Sequence, residues 1–168
     1  MATLPESPCF TDDPPLATDV ARGVTRLFCR QGVFAICEMP LPNGRRADLM
    51  AIDGKGGLTI VEIKVARSDL IGDGKWRDYL DYCDRFYWAV PPALVSILEH
   101  ERYLPGEAGL IVADRYDAAI ARAAVDRPLA PARRIELVPA RRVRHRWQAI
   151  HRRRRQRAAD ASTARLAE

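Results

Sequence analysis

Residues 58–64 form one continuous segment with the sequence Leu58-Thr59-Ile60-Val61-Glu62-Ile63-Lys64. Its β-branched and apolar residues predict a strand that is buried on both faces. Glu62 and Lys64 are two positions apart, and side chains on a strand alternate between faces, so both should lie on the same face. Burying a carboxylate and an amine is costly unless they are paired or bind an ion. The segment therefore predicts a functional site on a central strand.

The preceding segment, residues 45–53, also has strand character, and the glycines at positions 54, 56 and 57 indicate a turn between the two strands. A hairpin centred on Lys55 pairs Asp53 with Gly57 and places Asp48 directly opposite Glu62. Cross-strand neighbours have Cβ atoms roughly 4.5–5.5 Å apart. Two carboxylates at that distance repel each other unless they share a proton or a cation.

Carboxylate oxygens are hard donors that suit Mg²⁺ or Mn²⁺ better than zinc. Asp48, Glu62 and the carbonyl of Ile63 are the predicted metal ligands, and Lys64 is the predicted group that orients water or stabilises phosphate charge. The alternative is a structural ion pair of Glu62, Lys64 and Asp48 on a solvated edge. The apolar residues around them favour the buried site.

The pattern of Asp48 followed by Glu62-Ile63-Lys64 after a hairpin resembles the motif of the PD-(D/E)XK nuclease superfamily, with Ala47 at the position of the usual proline. A more specific resemblance, over about residues 16–134, is to the MmcB family of bacterial DNA-repair proteins. The blocks that carry it are residues 44–49, 60–64, 73–76, 79–90 and 109–114. The resemblance implies a restriction-endonuclease-like α/β fold and a role in DNA repair, including the making of intermediates for mutagenic repair polymerases. It does not establish cleavage, because a fold can be kept while activity is lost.

Length and composition predict one globular domain, since 168 residues with 48% hydrophobic residues can form one substantial core. No apolar run is long enough to span a membrane and the start lacks a signal peptide, so a cytoplasmic protein is expected. The four cysteines are widely separated and contain no Cys-x-x-Cys pair, which argues against a zinc knuckle or a disulfide framework.

The first part of the chain predicts a Pro-rich disordered segment over residues 1–15 and an amphipathic helix that follows it. Asp19 lies in this helix, as a candidate near the metal or as a first-turn residue favoured by the helix dipole. The first strand is predicted over residues 33–38. Glu38 at its end is a second-tier site residue, or else the partner of Arg45 or Arg46.

After the motif, residues 68–84 predict an interrupted helical region in which Lys75 and Tyr79 lie one turn apart on one face. This pair is similar to the Gln-x-x-x-Tyr pair with which RecB-like nucleases hold the DNA backbone, with Lys in place of Gln. Trp76, Tyr82 and Phe86 are predicted core residues. Strands over residues 86–90 and 109–113, with a helix over residues 93–100 between them, complete a mixed sheet flanked by helices.

The last 38 residues carry 12 Lys or Arg and only 3 Asp or Glu. A last helix is predicted over residues 133–157. The nuclease-like domain is predicted to span residues 16–147, and the basic C-terminal tail to span residues 148–168, so the last helix extends from the domain into the tail. Arg152, Arg153, Arg154 and Arg155 are the predicted nucleic-acid contacts, although a basic segment that only improves solubility explains them as well.

Two classes of function remain open. The first is a Mg²⁺- or Mn²⁺-dependent DNA endonuclease, with homodimer formation as in many enzymes of this fold and RNA as an alternative substrate. The second is a non-catalytic DNA-binding repair accessory that recruits a partner protein.

Overall fold

The computed structural model describes residues 16–70, 74–98 and 104–137. Six strands form one sheet in sequence order, and short helices connect them. The strands are β1 (Phe34–Pro40), β2 (Arg46–Ile52), β3 (Leu58–Ile63), β4 (Arg85–Val90), β5 (Gly109–Ala113) and β6 (Ala118–Arg122). The α-helices are α1 (Ala17–Arg30), α2 (Arg67–Leu70), α3 (Arg77–Leu80), α4 (Val95–Leu98) and α5 (Pro131–Leu137). Turns of 3₁₀ helix at Gly74–Trp76 and Pro92–Leu94 precede α3 and α4.

The sheet is mixed. β1, β2 and β3 form an antiparallel meander, β3 to β5 run parallel, and β6 returns antiparallel to β5. The parallel pairs need crossover connections, which the segments between β3 and β4 and between β4 and β5 provide. The predicted α/β class, a mixed sheet with a three-strand meander and flanking helices, is confirmed.

Each face of the sheet has its own apolar core. On one face α1 packs Val20, Val24 and Phe28 against strand residues that include Leu49 and Val61. The helical spacing of the apolar residues predicted this helix, which spans Ala17–Arg30. On the other face a second cluster contains the predicted core residues Trp76, Tyr82 and Phe86, together with Trp88 and Leu98. β3, at the centre of the sheet, is therefore covered on both sides.

The helical region after the motif is shorter than predicted. It ends at Leu80, and Asp84 lies outside it, just before β4. Asp84 is 4% exposed and accepts hydrogen bonds from the backbone N–H groups of Leu58 (2.6 Å) and Leu129 (2.7 Å). It also forms an ion pair with Arg134 at 2.6 Å, which attaches α5 to the start of β3. Since the carboxylate is needed for these bonds, the chain leaves helical geometry before it reaches Asp84.

Two further differences concern the second half of the chain. β6 was not predicted, because its alanine-rich sequence has no strand signal. The predicted helix over residues 93–100 is a 3₁₀ turn followed by α4, which is described to Leu98. The predicted N-terminal disorder over residues 1–15, the basic tail over residues 148–168 and most of the last helix lie outside the described residues. No helix within residues 16–70, 74–98 and 104–137 is long and apolar enough to cross a membrane.

Candidate active site

The β2–β3 hairpin has the predicted register. Leu49 lies opposite Val61 and the backbone N–H of Asp53 donates to the carbonyl of Gly57 at 3.0 Å. Continued by one position, this ladder places Asp48 opposite Glu62. Gly56, with φ of 83°, adopts the left-handed conformation that the turn requires.

The two carboxylates are held by each other's strands. The N–H of Ile63 donates to Oδ2 of Asp48 at 2.8 Å, and the N–H of Asp48 donates to Oε1 of Glu62 at 3.3 Å. Glu62 is only 5% exposed, whereas Asp48 is half-buried. The hairpin therefore fixes both acidic groups at its open end, where the two strands part.

Burial and mutual repulsion make this pair reluctant to carry two negative charges. Burial raises the pKa of Glu62 to about 7, and the charge of Asp48 contributes in the same direction. The pKa of Asp48 is also raised, mainly by burial, although the hydrogen bond from Ile63 opposes the effect. A shared proton or a cation would relieve this repulsion.

Lys64 completes the cluster. Its charge lowers the pKa of both Asp48 and Glu62, which places its ammonium group within electrostatic reach of the two acids. The Nζ atom also lies 5.0 Å from the centroid of the Trp88 ring, in a cation–π contact. The structure thus brings the three predicted catalytic side chains together. Their catalytic roles stay predictions.

The donors present fit a hard divalent cation of the Mg²⁺ type. Among the described residues no group of three or more His, Cys, Asp or Glu side chains is arranged to hold a metal, so Asp48 and Glu62 form the side-chain part of the predicted set. Mg²⁺ is commonly held by one or two carboxylates and keeps several waters or substrate oxygens. The carbonyl of Ile63 remains the predicted main-chain ligand.

Of the second-tier residues on the N-terminal side, Glu38 lies near the site. It forms an ion pair with Arg46 at 2.6 Å, as the alternative interpretation predicted, and its charge contributes to the raised pKa of Asp48. Asp19 instead accepts a hydrogen bond from the N–H of Leu16 at 3.2 Å, which is the helix-start role proposed as its alternative.

Lys75 and Tyr79 differ in exposure. Lys75 is exposed on the 3₁₀ turn, whereas Tyr79 is buried in α3. Their joint role in holding the DNA backbone stays a prediction. The hydroxyl of Tyr79 donates to the carbonyl of Arg46 at 3.3 Å, and a hydrogen bond from Tyr79 lowers the pKa of Glu62. Tyr79 therefore stabilises the ionised form of Glu62 through this hydrogen bond.

The sequence reasoning missed Arg22 and Arg26 of α1, which line a cavity beside Asp48. On a helix surface they look like ordinary solvated side chains, and only the packing of α1 shows what they border. The predicted nucleic-acid contacts Arg152, Arg153, Arg154 and Arg155 lie outside the described residues.

Comparisons with known proteins agree with the resemblance found in the sequence. A protein of unknown function from Silicibacter pomeroyi has a similar structure, with 39% sequence identity, a TM-score of 0.69, and coverage of 83% of this chain and 93% of that chain. A repair endonuclease from Pyrococcus abyssi is much less similar, with 21% identity, a TM-score of 0.30, and coverage of 48% of this chain and 42% of that chain. No curated protein matches the chain. The model of the family described as DNA repair protein MmcB-like matches residues 9–157, and the chain therefore belongs to the MmcB-like family of DNA-repair proteins.

Proposed function

We propose that this DNA-repair protein is a divalent-metal-dependent nuclease that hydrolyses phosphodiester bonds of DNA. The observation that carries the proposal is the buried Glu62 and the half-buried Asp48 beside Lys64. Buried titratable groups with a strongly raised pKa and a specific charged neighbour are typical of catalytic sites. Membership of a repair family makes DNA the natural substrate.

Each side chain has a role that follows from its position. Asp48 and Glu62, with the Ile63 carbonyl, would hold Mg²⁺ or Mn²⁺, which when bound supplies Lewis-acid stabilisation of phosphate charge. Lys64 would orient the attacking water and donate to a phosphate oxygen. Trp88 limits the freedom of Lys64 through its ring contact, and Tyr79 supports Glu62. The reaction would take place in the cytoplasm; a homodimer and a repair polymerase as partner remain expectations from the resemblance.

The test is incubation of the purified full chain with labelled single-stranded, gapped, branched and duplex DNA in Mg²⁺, Mn²⁺ or EDTA. Products are expected only with the metal. Asp48→Asn, Glu62→Gln and Lys64→Met should each lower the cleavage rate by about 100-fold or more, with the fold retained by circular dichroism. Asp126→Asn is the matched control, because that carboxylate is 67% exposed at the surface.

Cleavage that survives all three substitutions, or that persists in EDTA, would refute the assignment. DNA binding without products under any metal condition would favour the repair accessory instead. Unlabelled RNA added as competitor distinguishes the substrates, since an RNA-directed nuclease would be inhibited more strongly by RNA than by DNA of the same sequence.

A further inference from the structure

A cavity of about 620 Å³ lies directly beside Asp48, between α1 and the open end of the hairpin. One wall is a face of α1 that presents the small side chains of Ala17, Thr18 and Ala21 together with Arg22 and Arg26. We name this cavity the α1 groove. Its volume falls in the range of sites for drug-sized molecules, about 300–1,000 Å³. A nucleotide belongs to that size class.

The opposite wall of the α1 groove is formed by the sheet and the segment after it. It presents the apolar side chains of Ile63 and Val65, and the acidic side chains of Glu38, Asp48 and Asp69. The cations therefore lie on the helix wall and the acids on the sheet wall. Of the proposed metal ligands, Asp48 and Ile63 line this wall, whereas the side chains of Glu62 and Lys64 lie on the opposite face of the strand from that of Ile63. The apolar side chains on the sheet wall can contact a base or a sugar.

The two arginines are suited to bind phosphate. Arg22 is 58% exposed and pairs with Asp19 at 3.1 Å in an exposed i,i+3 contact, a type of ion pair that contributes little and exchanges readily. Arg26 donates to the backbone carbonyl of Tyr116 at 2.7 Å, which orients its guanidinium, and its charge also helps to lower the pKa of Asp117. Arginine donors so placed can bind phosphate oxygens in a bidentate manner.

We infer that the α1 groove binds an unpaired DNA strand, with Arg22 and Arg26 on the phosphates next to the one that is cut. The inference rests on the proposed function, because the groove would guide the DNA strand toward the proposed metal site. Single-strand binding sites combine basic side chains that contact the backbone with a surface that contacts the bases. Here Arg22 and Arg26 would contact the backbone, and Ile63 and Val65 would contact a base. The substrate class is thus DNA with a single-stranded region, such as a flap, a gap or an unwound end.

The test measures binding separately from cleavage. Fluorescence anisotropy in EDTA follows a labelled single strand of about 12 nucleotides and a hairpin duplex of the same base composition, over a range of salt concentrations. Arg22→Ala/Arg26→Ala should weaken binding of the single strand by about tenfold. The slope of log K against log salt should fall in magnitude by about 1.4, since each phosphate contact on a single strand contributes about 0.7.

Arg30→Ala is the matched control. Arg30 is on the same helix, is 54% exposed and has one acidic partner, Asp117, at 2.5 Å, but it does not line the α1 groove. Its affinity and salt slope should equal those of the wild type. Thr18→Glu provides a second test, because an acidic residue in the first turn favours helix α1 while its charge would repel a strand in the groove.

The outcomes separate the two proposals. If the double variant behaves like Arg30→Ala, or loses affinity for the duplex as strongly as for the single strand, the groove assignment is wrong even where the wild type cleaves DNA. If Thr18→Glu binds the single strand normally, the assignment is also wrong. Selective loss of single-strand binding by both groove variants supports it, even if the wild type yields no products and the nuclease proposal fails.

Discussion

Replacement of Glu62 by Gln should raise the stability of the metal-free protein at pH 8 relative to its effect at pH 4. Glu62 is 5% exposed and its pKa in the folded protein is about 7, against an ordinary value of 4.5. Between about pH 4.5 and pH 7, Glu62 releases its proton in the unfolded chain but retains it in the folded protein. The unfolded state then binds fewer protons, so the free energy of unfolding falls as the pH rises.

The size of the effect follows from the difference between the two pKa values. One pKa unit corresponds to about 1.36 kcal/mol, so an ionised Glu62 destabilises the folded state by about 3 kcal/mol above pH 7. Glutamine keeps an Oε1 atom that can accept the Asp48 N–H, and it does not ionise. Any cost of burying its NH₂ group is the same at both pH values and cancels when the two are compared.

The assay is urea unfolding in EDTA at pH 4, 6 and 8, monitored by circular dichroism. The m-values of the variant and the wild type should be equal. The variant should gain about 3 kcal/mol relative to wild type between pH 4 and pH 8. Glu107→Gln, which removes an exposed carboxylate 3.0 Å from Arg127, should not show this pH-dependent gain. Parallel stability curves for Glu62→Gln and wild type would refute the argument, since they would mean that Glu62 ionises as easily in the folded protein as in the unfolded chain.

Three further predictions concern the surroundings of the site. Tyr79→Phe removes a hydrogen bond that lowers the pKa of Glu62, so the acidic limb of the pH–rate profile for cleavage should move to higher pH; an unmoved limb would contradict this role. Asp84→Asn should cost about 3 kcal/mol at pH 7 in urea unfolding. Because the folded-state pKa of Asp84 lies below its ordinary value of 3.8, this stabilisation is present above that value and is lost as the pH falls, and a pH-independent cost would count against the ion pair. Gly23→Ala would bring a Cβ within 2.6 Å of a backbone carbonyl in the β5–β6 turn; we expect a lower melting temperature, whereas Gly54→Ala, with open space around it, should melt like the wild type.

The candidate site could be predicted from the sequence because it depends on local rules. The glycines between β2 and β3 locate the turn, the turn sets the register, and the register places Asp48 opposite Glu62. The same alternation puts Lys64 on the face of Glu62. No information from distant parts of the chain is needed for these steps.

The elements that escaped prediction depend on distant contacts. β6 consists mostly of alanine, and it is held by pairing with β5 and by Arg122, which donates to the carbonyl of Ala108 at 2.6 Å. A short alanine-rich segment favours a helix as much as a strand, so local propensity could not identify it. The length of the helical region before β4 was misjudged for a similar reason. The region ends at Leu80, and the nearby Asp84 binds Arg134, fifty residues further along the chain.

The side chains of α1 show the same limit at the level of function. Their spacing identified the buried face of the helix, but Arg22, Arg26 and Arg30 are equivalent on its polar face until the helix is packed on the sheet. Packing places Arg22 and Arg26 at the cavity that Asp48 also lines, whereas Arg30 pairs with Asp117 and does not line it. A role in binding is therefore a property of the assembled surface, which a single sequence does not reveal.

Two buried acids near opposite ends of β3 show why burial alone does not identify a site. Asp84, beside the start of the strand, is surrounded by two backbone N–H donors and the guanidinium of Arg134, and these partners lower its pKa. Glu62, near the other end, faces the carboxylate of Asp48, and its pKa is raised to about 7. The first arrangement stabilises the fold, because a fully partnered buried charge favours the folded state. The second opposes folding at neutral pH. A divalent cation bound to Glu62 would neutralise its charge, as Arg134 neutralises the charge of Asp84. The sign of the pKa change, rather than the extent of burial, is therefore what distinguishes a structural carboxylate from a candidate ligand in this sheet.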